Sequence, residues 1–442
     1  MKTFVIPTAF VAAVAGSAGG QQPTAPRADS LRLGALHAEA VRLDPRQRQI
    51  ALQASASDLR MRNIAMARRP SIAASGQAQY QSAVAHVPIA VPNVIVPTPW
   101  RDTYDAHVNG QQSFLDLTVA PKLAVERAQL AESQAQVRAT VFSRRQEVND
   151  AFFTAAMLQQ RIAELGVAMT NLETRLRETV VRFRDGAALP GDTASIAATL
   201  LQRRQDLYQG QADRAAAIAR LAELTGRALP DSAPVVVPDL AEPVARALAG
   251  LDQLRARPEY EQFSATRERL ALQGQVQAAQ DKPRVSAFGR VGYGRPGLNP
   301  LSTTFDPYWL AGVQVQWSPW NWGTTNRDRE VLEIQREIVV TNEAAFTQSL
   351  HRSIQQSLAS IARLDSILAL DDRIIELRER IDTETRAKLR EGVVTAAESV
   401  DRSSDVLSAR LARIQHRVQL AQARANLLTT LGVEVHDVGI EL

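Results

Sequence analysis

The side chains that could do chemistry in this chain are histidines, acids and bases, since cysteine is absent. Without cysteine there is no disulfide, thiolate metal site, cysteine nucleophile or lipid anchor on an N-terminal cysteine. The six histidines show no ligand spacing: His37, His86, His107, His351, His416 and His436. No Gly-x-Ser-x-Gly motif exists, and the glycine-rich segment 289–297 reads as a barrel turn at a strand end. We therefore predict no enzyme, no cofactor and no metal.

The composition limits the possible partners. The 442 residues include 51 basic and 47 acidic side chains, which give a net charge of +4. These charges are mixed along the chain, and no basic patch suited to nucleic acid is present. Aromatic residues make up only 5% of the chain, which is low for a thick globular core. After the first 20 residues no apolar run is long enough for a transmembrane helix.

The first residues have the pattern of an export signal. Lys2 precedes the apolar stretch 4–15, and the small residues 16–20 follow it. A basic start, a short apolar core and a small-residue cleavage site are typical of a secretory signal peptide. We assign residues 1–18 to this signal, which predicts that the mature protein leaves the cytoplasm.

The chain repeats itself once. Asp44-Pro45 matches Arg257-Pro258, and further along Gly186 matches Gly392. Ordered matches of this kind divide the chain into two tandem structural repeats. We place them at 31–230 and 244–438, with a proline-rich linker at 231–243.

Each repeat has two segments that alternate between apolar and polar residues. They lie at about 71–82 and 103–115 in the first repeat, and at 284–295 and 308–318 in the second. Alternation over about ten residues is typical of membrane-spanning barrel strands, although a soluble sheet with one face on a core has the same pattern. Tryptophans favour the membrane, because they lie in or beside these segments and suit bilayer interfaces: Trp100, Trp309, Trp317, Trp320 and Trp322.

Long helices account for most of the remaining sequence. Residues 122–189 contain no proline, and none follows Pro319. Apolar residues recur there at steps of three and four, which predicts coiled-coil helices. About 65 residues at 1.5 Å each give a rod of roughly 100 Å. Helices at about 33–68 and 246–281 lead into the strands, and helices at 193–228 and 396–431 return from the turns.

Four strands cannot close a barrel, and lipid does not tolerate an open sheet edge. The barrel must then be shared between chains. A trimer supplies about 12 strands and a dimer about 8, both within the range of known barrels. The long helices predict a tube below that barrel.

In this order of elements the chain resembles the TolC family of outer-membrane efflux proteins over about 31–435. The segments that carry the resemblance are 36–45, Arg69-Pro70 before the first strand, 316–323 at the exit of the last strand, and Gly392-Val-Val-Thr395. The resemblance implies a homotrimer in the outer membrane of a Gram-negative bacterium, with a 12-stranded barrel in the lipid and an α-helical tunnel in the periplasm. It further implies an exit duct for an inner-membrane pump, reached through a periplasmic adaptor protein.

The resemblance also implies site residues. Arg184, Gly186, Arg390 and Gly392 correspond to the helical tips that meet the adaptor. Glu398 and Asp401, with Asp192 in the first repeat, correspond to acidic rings at the closed periplasmic entrance. The alternative is that these acids are solvated residues at helix starts, where the helix dipole favours them.

The sequence departs from the family pattern near the tips. Leu389 and Val394 occupy places where the family's gate often has a tyrosine and a basic residue. A gate closed by a salt bridge or hydrogen bond of those residues is therefore in doubt. Pro190-Gly191 in the first turn predicts that the first tip differs in shape from the second.

Two other functions fit the same pattern. A duct of this architecture serves type I protein secretion as well as efflux of small toxic compounds. A soluble periplasmic coiled-coil scaffold or adaptor is the other possibility, and it requires the alternating segments to form a soluble domain.

Overall fold

A computed structural model describes residues 30–84, 98–249 and 257–435. The predicted signal peptide and residues 436–438 at the end of the second predicted repeat lie outside the described residues. Within those three ranges, no helix is both long enough and apolar enough to cross a membrane.

The described part of the chain is mostly long helices with four longer strands. In chain order its elements are β1 (Leu31–Arg32), α1 (Leu33–Leu43), α2 (Gln47–Met66), β2 (Ser71–Tyr80), β3 (Asp102–Leu115), α3 (Val119–Phe142), α4 (Arg144–Arg184), α5 (Pro190–Thr225), β4 (Val235–Val236), α6 (Ala241–Ala249), α7 (Pro258–Gln280), β5 (Arg284–Arg295), β6 (Asp306–Gln316), α8 (Thr324–Arg390) and α9 (Ala396–Leu431).

The four longer strands form one antiparallel sheet in the order β2-β3-β5-β6. The pairing of β3 with β5 joins the two repeats, while the other two pairs are hairpins within a repeat. The register aligns Ala74, Val108, Val291 and Trp309 across the sheet. Since side chains alternate along each strand, all four lie on one face. The predicted fold class, two strands per repeat between long helices, is confirmed.

The helices form two layers, each one helix thick. One layer lies next to the sheet, and the other lies further from it. Near the sheet the neighbours are α2, α3, α7 and α8, in that order. Further away the order is α5, α4, α9 and α8. The 67 residues of α8 run through both halves and give a length of roughly 100 Å.

The helix predicted at 33–68 is wrong as a single element, because it breaks at Asp44-Pro45 into α1 and α2. The buried Asp44 carboxylate accepts bonds from the Arg46 side chain at 2.9 and 2.6 Å and from the Arg46 backbone at 2.8 Å. These bonds, led by the Arg46 side chain, hold the pKa of Asp44 below its usual range although burial opposes the shift. In the second repeat α7 likewise begins after an extended residue, Arg257, which precedes Pro258.

The first long helix is also two elements, since α3 and α4 meet at Ser143. The Ser143 hydroxyl donates to the Thr140 carbonyl at 2.8 Å. The Gln146 amide donates to the Ser143 carbonyl, three residues back, instead of the Phe142 carbonyl four residues back that a regular α-helix uses. Such local bonds compete with the regular helical ladder. The equivalent helix of the second repeat, α8, is continuous.

The predicted linker contributes to the structure. Its residues Val235–Val236 form β4, which pairs in parallel with β1 at the start of the first repeat. Around this pair lies the main hydrophobic core, which includes Phe152, Ile218 and Leu428. We name this region the equatorial core.

Candidate functional site: the sheet and the helical tips

One face of the sheet is apolar and exposed. Ile72, Val291, Trp309 and Val313 are 77%, 65%, 74% and 69% exposed. No helix of the described chain packs against this face. A soluble sheet with the same alternation needs a core on its apolar side, so this face requires a cover from outside the described residues.

The tryptophans lie toward the two ends of this face. Trp100 precedes β3, and Trp309 lies near the start of β6, both toward the hairpin loops. Trp317 and Trp320 follow the end of β6, where the chain turns toward α8. Trp309 and Trp317 are eight positions apart, which is roughly 27 Å along a strand. The apolar band of a membrane barrel is about 25 Å tall, and aromatic residues flank it on both sides.

The opposite face of the sheet is polar. Tyr308 donates a hydrogen bond to Asp105 at 2.5 Å, and His107 bonds the other oxygen of the same carboxylate. Beside them Arg290 donates to the Asn109 side chain at 2.7 Å. The two faces therefore differ as the lipid side and the lumen side of a barrel differ.

The glycine-rich segment does not form a turn, which corrects the sequence-based prediction. Its residues 289–295 lie inside β5, opposite β3 and β6. A Cβ atom on Gly292 would lie 2.5 Å from the Tyr308 ring and 2.8 Å from Cβ of His107. Close packing beneath Tyr308, rather than turn geometry, requires glycine here.

The sheet has two open edges in the described chain, since β2 and β6 each have one neighbour. The helices at the ends of each layer have exposed apolar stripes. On α8 the stripe recurs at steps of four, three and four; on α2 and α5 it recurs every seven residues. We name these the edge stripes: Leu370, Ile374, Leu377 and Ile381 on α8, Leu52, Leu59 and Met66 on α2, and Leu201 and Tyr208 on α5. The sequence analysis missed them, although their spacing was readable.

Both helical tips end in a left-handed glycine. Gly186 has φ of 73° and Gly392 has φ of 75°. At the first tip Ala187 N–H donates to the Arg182 carbonyl at 2.7 Å, and the equivalent bond closes the second tip. Each return helix begins four residues after its glycine. The predicted difference in shape is therefore absent from the backbone, and Pro190 simply takes the first helical position of α5.

The predicted gate acids lie in the first turns of the return helices. Asp192 accepts a hydrogen bond from the Leu189 amide at 3.0 Å. Glu398 occupies the same helical position in α9, where its own amide donates to the Thr395 hydroxyl at 3.2 Å. Asp401 follows three residues later, and both Glu398 and Asp401 are exposed. Arg184 and Arg390 are the exposed last residues of α4 and α8.

Charged pairs join the helices between the tips and the equatorial core. Arg410 on α9 bonds Glu379 on α8 at 2.5 Å and Glu164 on α4 at 3.1 Å. The bond with Glu379, followed by that with Glu164, raises the pKa of Arg410. His416 and Asp371 form a further link between α9 and α8 at 2.6 Å.

These features agree with known structures. CusC, from a study of transmembrane channel formation, matches with a TM-score of 0.69 at 16% identity, over 91% of this chain and 92% of that one. The outer-membrane protein VceC of Vibrio cholerae gives 0.66 at 16% identity, over 91% and 97%. The chain has the fold of TolC-family outer-membrane channels.

The open state of the MtrE outer-membrane channel of Neisseria gonorrhoeae shares the TolC-type fold, with a TM-score of 0.63 at 17% identity over 91% of this chain and 89% of that one. No protein-family model and no curated protein matches the sequence. The resemblance is therefore one of fold, and the role of each site residue follows from its own geometry.

Proposed function

We propose that this protein is the outer-membrane exit channel of a tripartite efflux system. It passes small toxic compounds from an inner-membrane pump, through a periplasmic adaptor, to the exterior. The observation that supports this most is the apolar sheet face, which nothing in the described chain covers and which lipid would cover. The similar proteins are described as outer-membrane proteins and channels, which favours the same conclusion.

Closure of the barrel is proposed to occur between copies of the chain. Strand β6 of one copy pairs with β2 of the next, which removes both open edges. The edge stripe on α8 then packs against the stripe on α5 of that neighbour. The stripe on the neighbour's α2 instead meets the sheet-side half of α8, where Val331, Ile334 and Ile338 are exposed. β2, α2 and α5 end the sheet and the two helical layers on one side of the chain, and β6 and α8 end them on the other side. The proposed contact is therefore head-to-tail and generates a ring. Three copies give a 12-stranded barrel.

The helical tips are proposed to dock the adaptor, and the acids beside them to form the gate. Three copies of Glu398 and Asp401 at a narrow mouth would repel one another and attract cations. Exposure of both side chains at the start of α9 supports this assignment.

The first experiment is membrane fractionation followed by native mass measurement in detergent. We expect a detergent-dependent trimer in the outer-membrane fraction. As a matched test, Ile374→Glu places a charge in the α8 edge stripe and should reduce the trimer, whereas Ile354→Leu in the intrachain core should not. A soluble periplasmic species would overturn the channel and favour the scaffold.

The gate is tested by conductance in a planar bilayer. Glu398→Gln with Asp401→Asn should raise the conductance or weaken block by multivalent cations. Asp58→Asn, an exposed acid on α2 far from the tips, is the control. An unchanged channel would reject the gate assignment and leave the channel itself intact.

A further inference from the structure

A cavity of about 460 Å³ opens between the helical hairpins close to the tips. Its walls include Arg175 and Arg182 from α4, Arg386 and Arg390 from α8, and Ser399 from α9. The cavity thus lies between the hairpin of the first repeat and that of the second. We name it the arginine cavity.

Positive charge exceeds negative charge around the arginine cavity. Glu178 is the one acid among its described lining residues. Asp382 adjoins the cavity, where it pairs with Arg386, accepts a bond from Ser403 at 2.9 Å and lies 3.8 Å from Arg175. Four guanidinium groups therefore share two carboxylates.

Arg175 shows this imbalance most clearly. Its guanidinium donates to the Ser403 hydroxyl at 2.5 Å, and its distance from Asp382 is longer than a hydrogen bond. Burial, followed by the positive charge of Arg386, lowers the pKa of Arg175. Besides Ser403, Arg175 makes one further contact within the described chain, 3.5 Å to the Ser399 carbonyl, and no carboxylate of the described residues lies within hydrogen-bond distance of it, so its remaining guanidinium donors are available for another anion.

Ser399 provides an independent observation on the same wall. Its side chain is nearly sealed, at 2% exposed, and its hydroxyl oxygen has no hydrogen-bond partner. Buried hydroxyl groups are normally paired, so an unpaired one indicates a missing partner. Ser399 lines the cavity, so rotation of its side chain would let this hydroxyl donate to a bound anion.

We propose that the arginine cavity binds a small oxyanion of the phosphate or sulfate type, held by Arg175, Arg182 and Arg386 with the Ser399 hydroxyl. Tetrahedral oxyanions accept several charge-assisted bonds at once, and arginine forks match them. The bound anion contacts α4 and α8 together, so it joins the hairpins of the two repeats. This site goes beyond the proposed channel function and does not depend on it.

The test is thermal unfolding of the full chain in detergent, with inorganic phosphate or sulfate added against chloride at constant pH and ionic strength. We expect a saturable rise in Tm with phosphate and sulfate. Ser399→Ala should raise the Tm without anion, because an unpaired buried hydroxyl is removed, yet weaken phosphate binding. A role in packing alone would not produce these opposite changes.

Arg182→Gln should weaken phosphate binding about tenfold, because a charge-assisted bond is lost. Arg182 makes one long contact, 3.4 Å to the Leu389 carbonyl, so the variant should still fold. Arg373→Gln, an exposed arginine of α8 outside the cavity, is the control and should bind phosphate normally. The proposal is overturned if phosphate acts no differently from chloride, or if both cavity variants keep wild-type affinity.

Discussion

The equatorial core and the four-stranded sheet use the same kinds of side chain in opposite ways. Phe152 and Leu428 in the core are fully buried by residues of their own chain. Val291 and Val313 in the sheet have comparable apolar side chains, yet most of their surface is exposed. The core is therefore buried by residues of one chain, whereas in the proposed channel the sheet is completed by lipid and by further copies.

This difference separates two kinds of stability. Burial in the equatorial core stabilises each chain alone, at about 25 cal/mol for each Å² removed from water. In the proposed channel, burial of the sheet face and the edge stripes contributes only after insertion and assembly. Changes in the two regions should therefore affect different measurements.

The largest effect is expected on the apolar sheet face. Val313→Arg places a charge midway between Trp309 and Trp317, near the middle of the proposed lipid band, which costs about 2–4 kcal/mol per chain and three times that in a trimer. We expect little trimer in the outer membrane. The readout is the trimer fraction after membrane extraction.

Gln314→Arg is the matched control on the opposite face of the same sheet. Because that face is polar, insertion should be retained. If Val313→Arg inserts as well as Gln314→Arg, the apolar face does not meet lipid.

In the equatorial core, Phe152→Ala should destabilise the folded chain by about 3–5 kcal/mol, since it removes a buried ring and leaves a cavity. Phe152 packs edge-to-face with Phe153 at 5.2 Å between ring centroids. The measurement is thermal unfolding followed by helical circular dichroism in detergent. Val167→Ala, at an exposed position of α4, is the control and should change stability by less than about 0.5 kcal/mol. Equal losses would contradict the assignment of the core.

Sequence patterns predicted the sheet better than they predicted the helices. Alternation places Val108 and Val291 on one face whatever the packing, so the strands could be found without tertiary information. The break at Ser143 has no proline or glycine to mark it. The pairing of β1 with β4 joins residues about two hundred positions apart through two residues each, which leaves no local pattern.

The candidate site was predictable where its residues act locally. Glycine at the end of a long apolar repeat indicates a turn, and Gly186 and Gly392 do adopt the left-handed conformation. Gly292 was misread, because its requirement comes from Tyr308 on another strand. The arginine cavity brings together residues from four helices, so no sequence spacing could reveal it.

The break between α1 and α2 gives a pH test at the edge of the equatorial core. Asp44 is ionised in the fold with a lowered pKa, so its contribution is present at neutral pH and is lost as pH falls below about 4. Asp44→Asn should lower stability by about 2 kcal/mol at pH 7 and by less at pH 3. Asp58→Asn, which removes one partner of the solvent-accessible Asp58–Arg62 pair on α2, is the control. A loss that is the same at both pH values would show that the charge of Asp44 is not what matters.

The smallest effects concern the tips, where the two repeats cap their return helices differently. In α9 the Thr395 hydroxyl accepts the Glu398 amide, and in α5 the Asp192 carboxylate accepts the Leu189 amide. Thr395→Ala and Asp192→Ala should each cost about 1 kcal/mol and speed hydrogen exchange in the first turn of the affected helix. Glu398→Gln should leave exchange in α9 unchanged, since the hydroxyl makes the cap.

The caps also separate structure from gating. Asp192 already serves α5 as a cap, so its replacement should alter exchange as well as conductance. Glu398 makes no side-chain hydrogen bond or ion pair with another described residue, so its replacement should alter conductance alone. Faster exchange in Glu398→Gln would assign this acid to helix capping and remove the reason to place it in the gate.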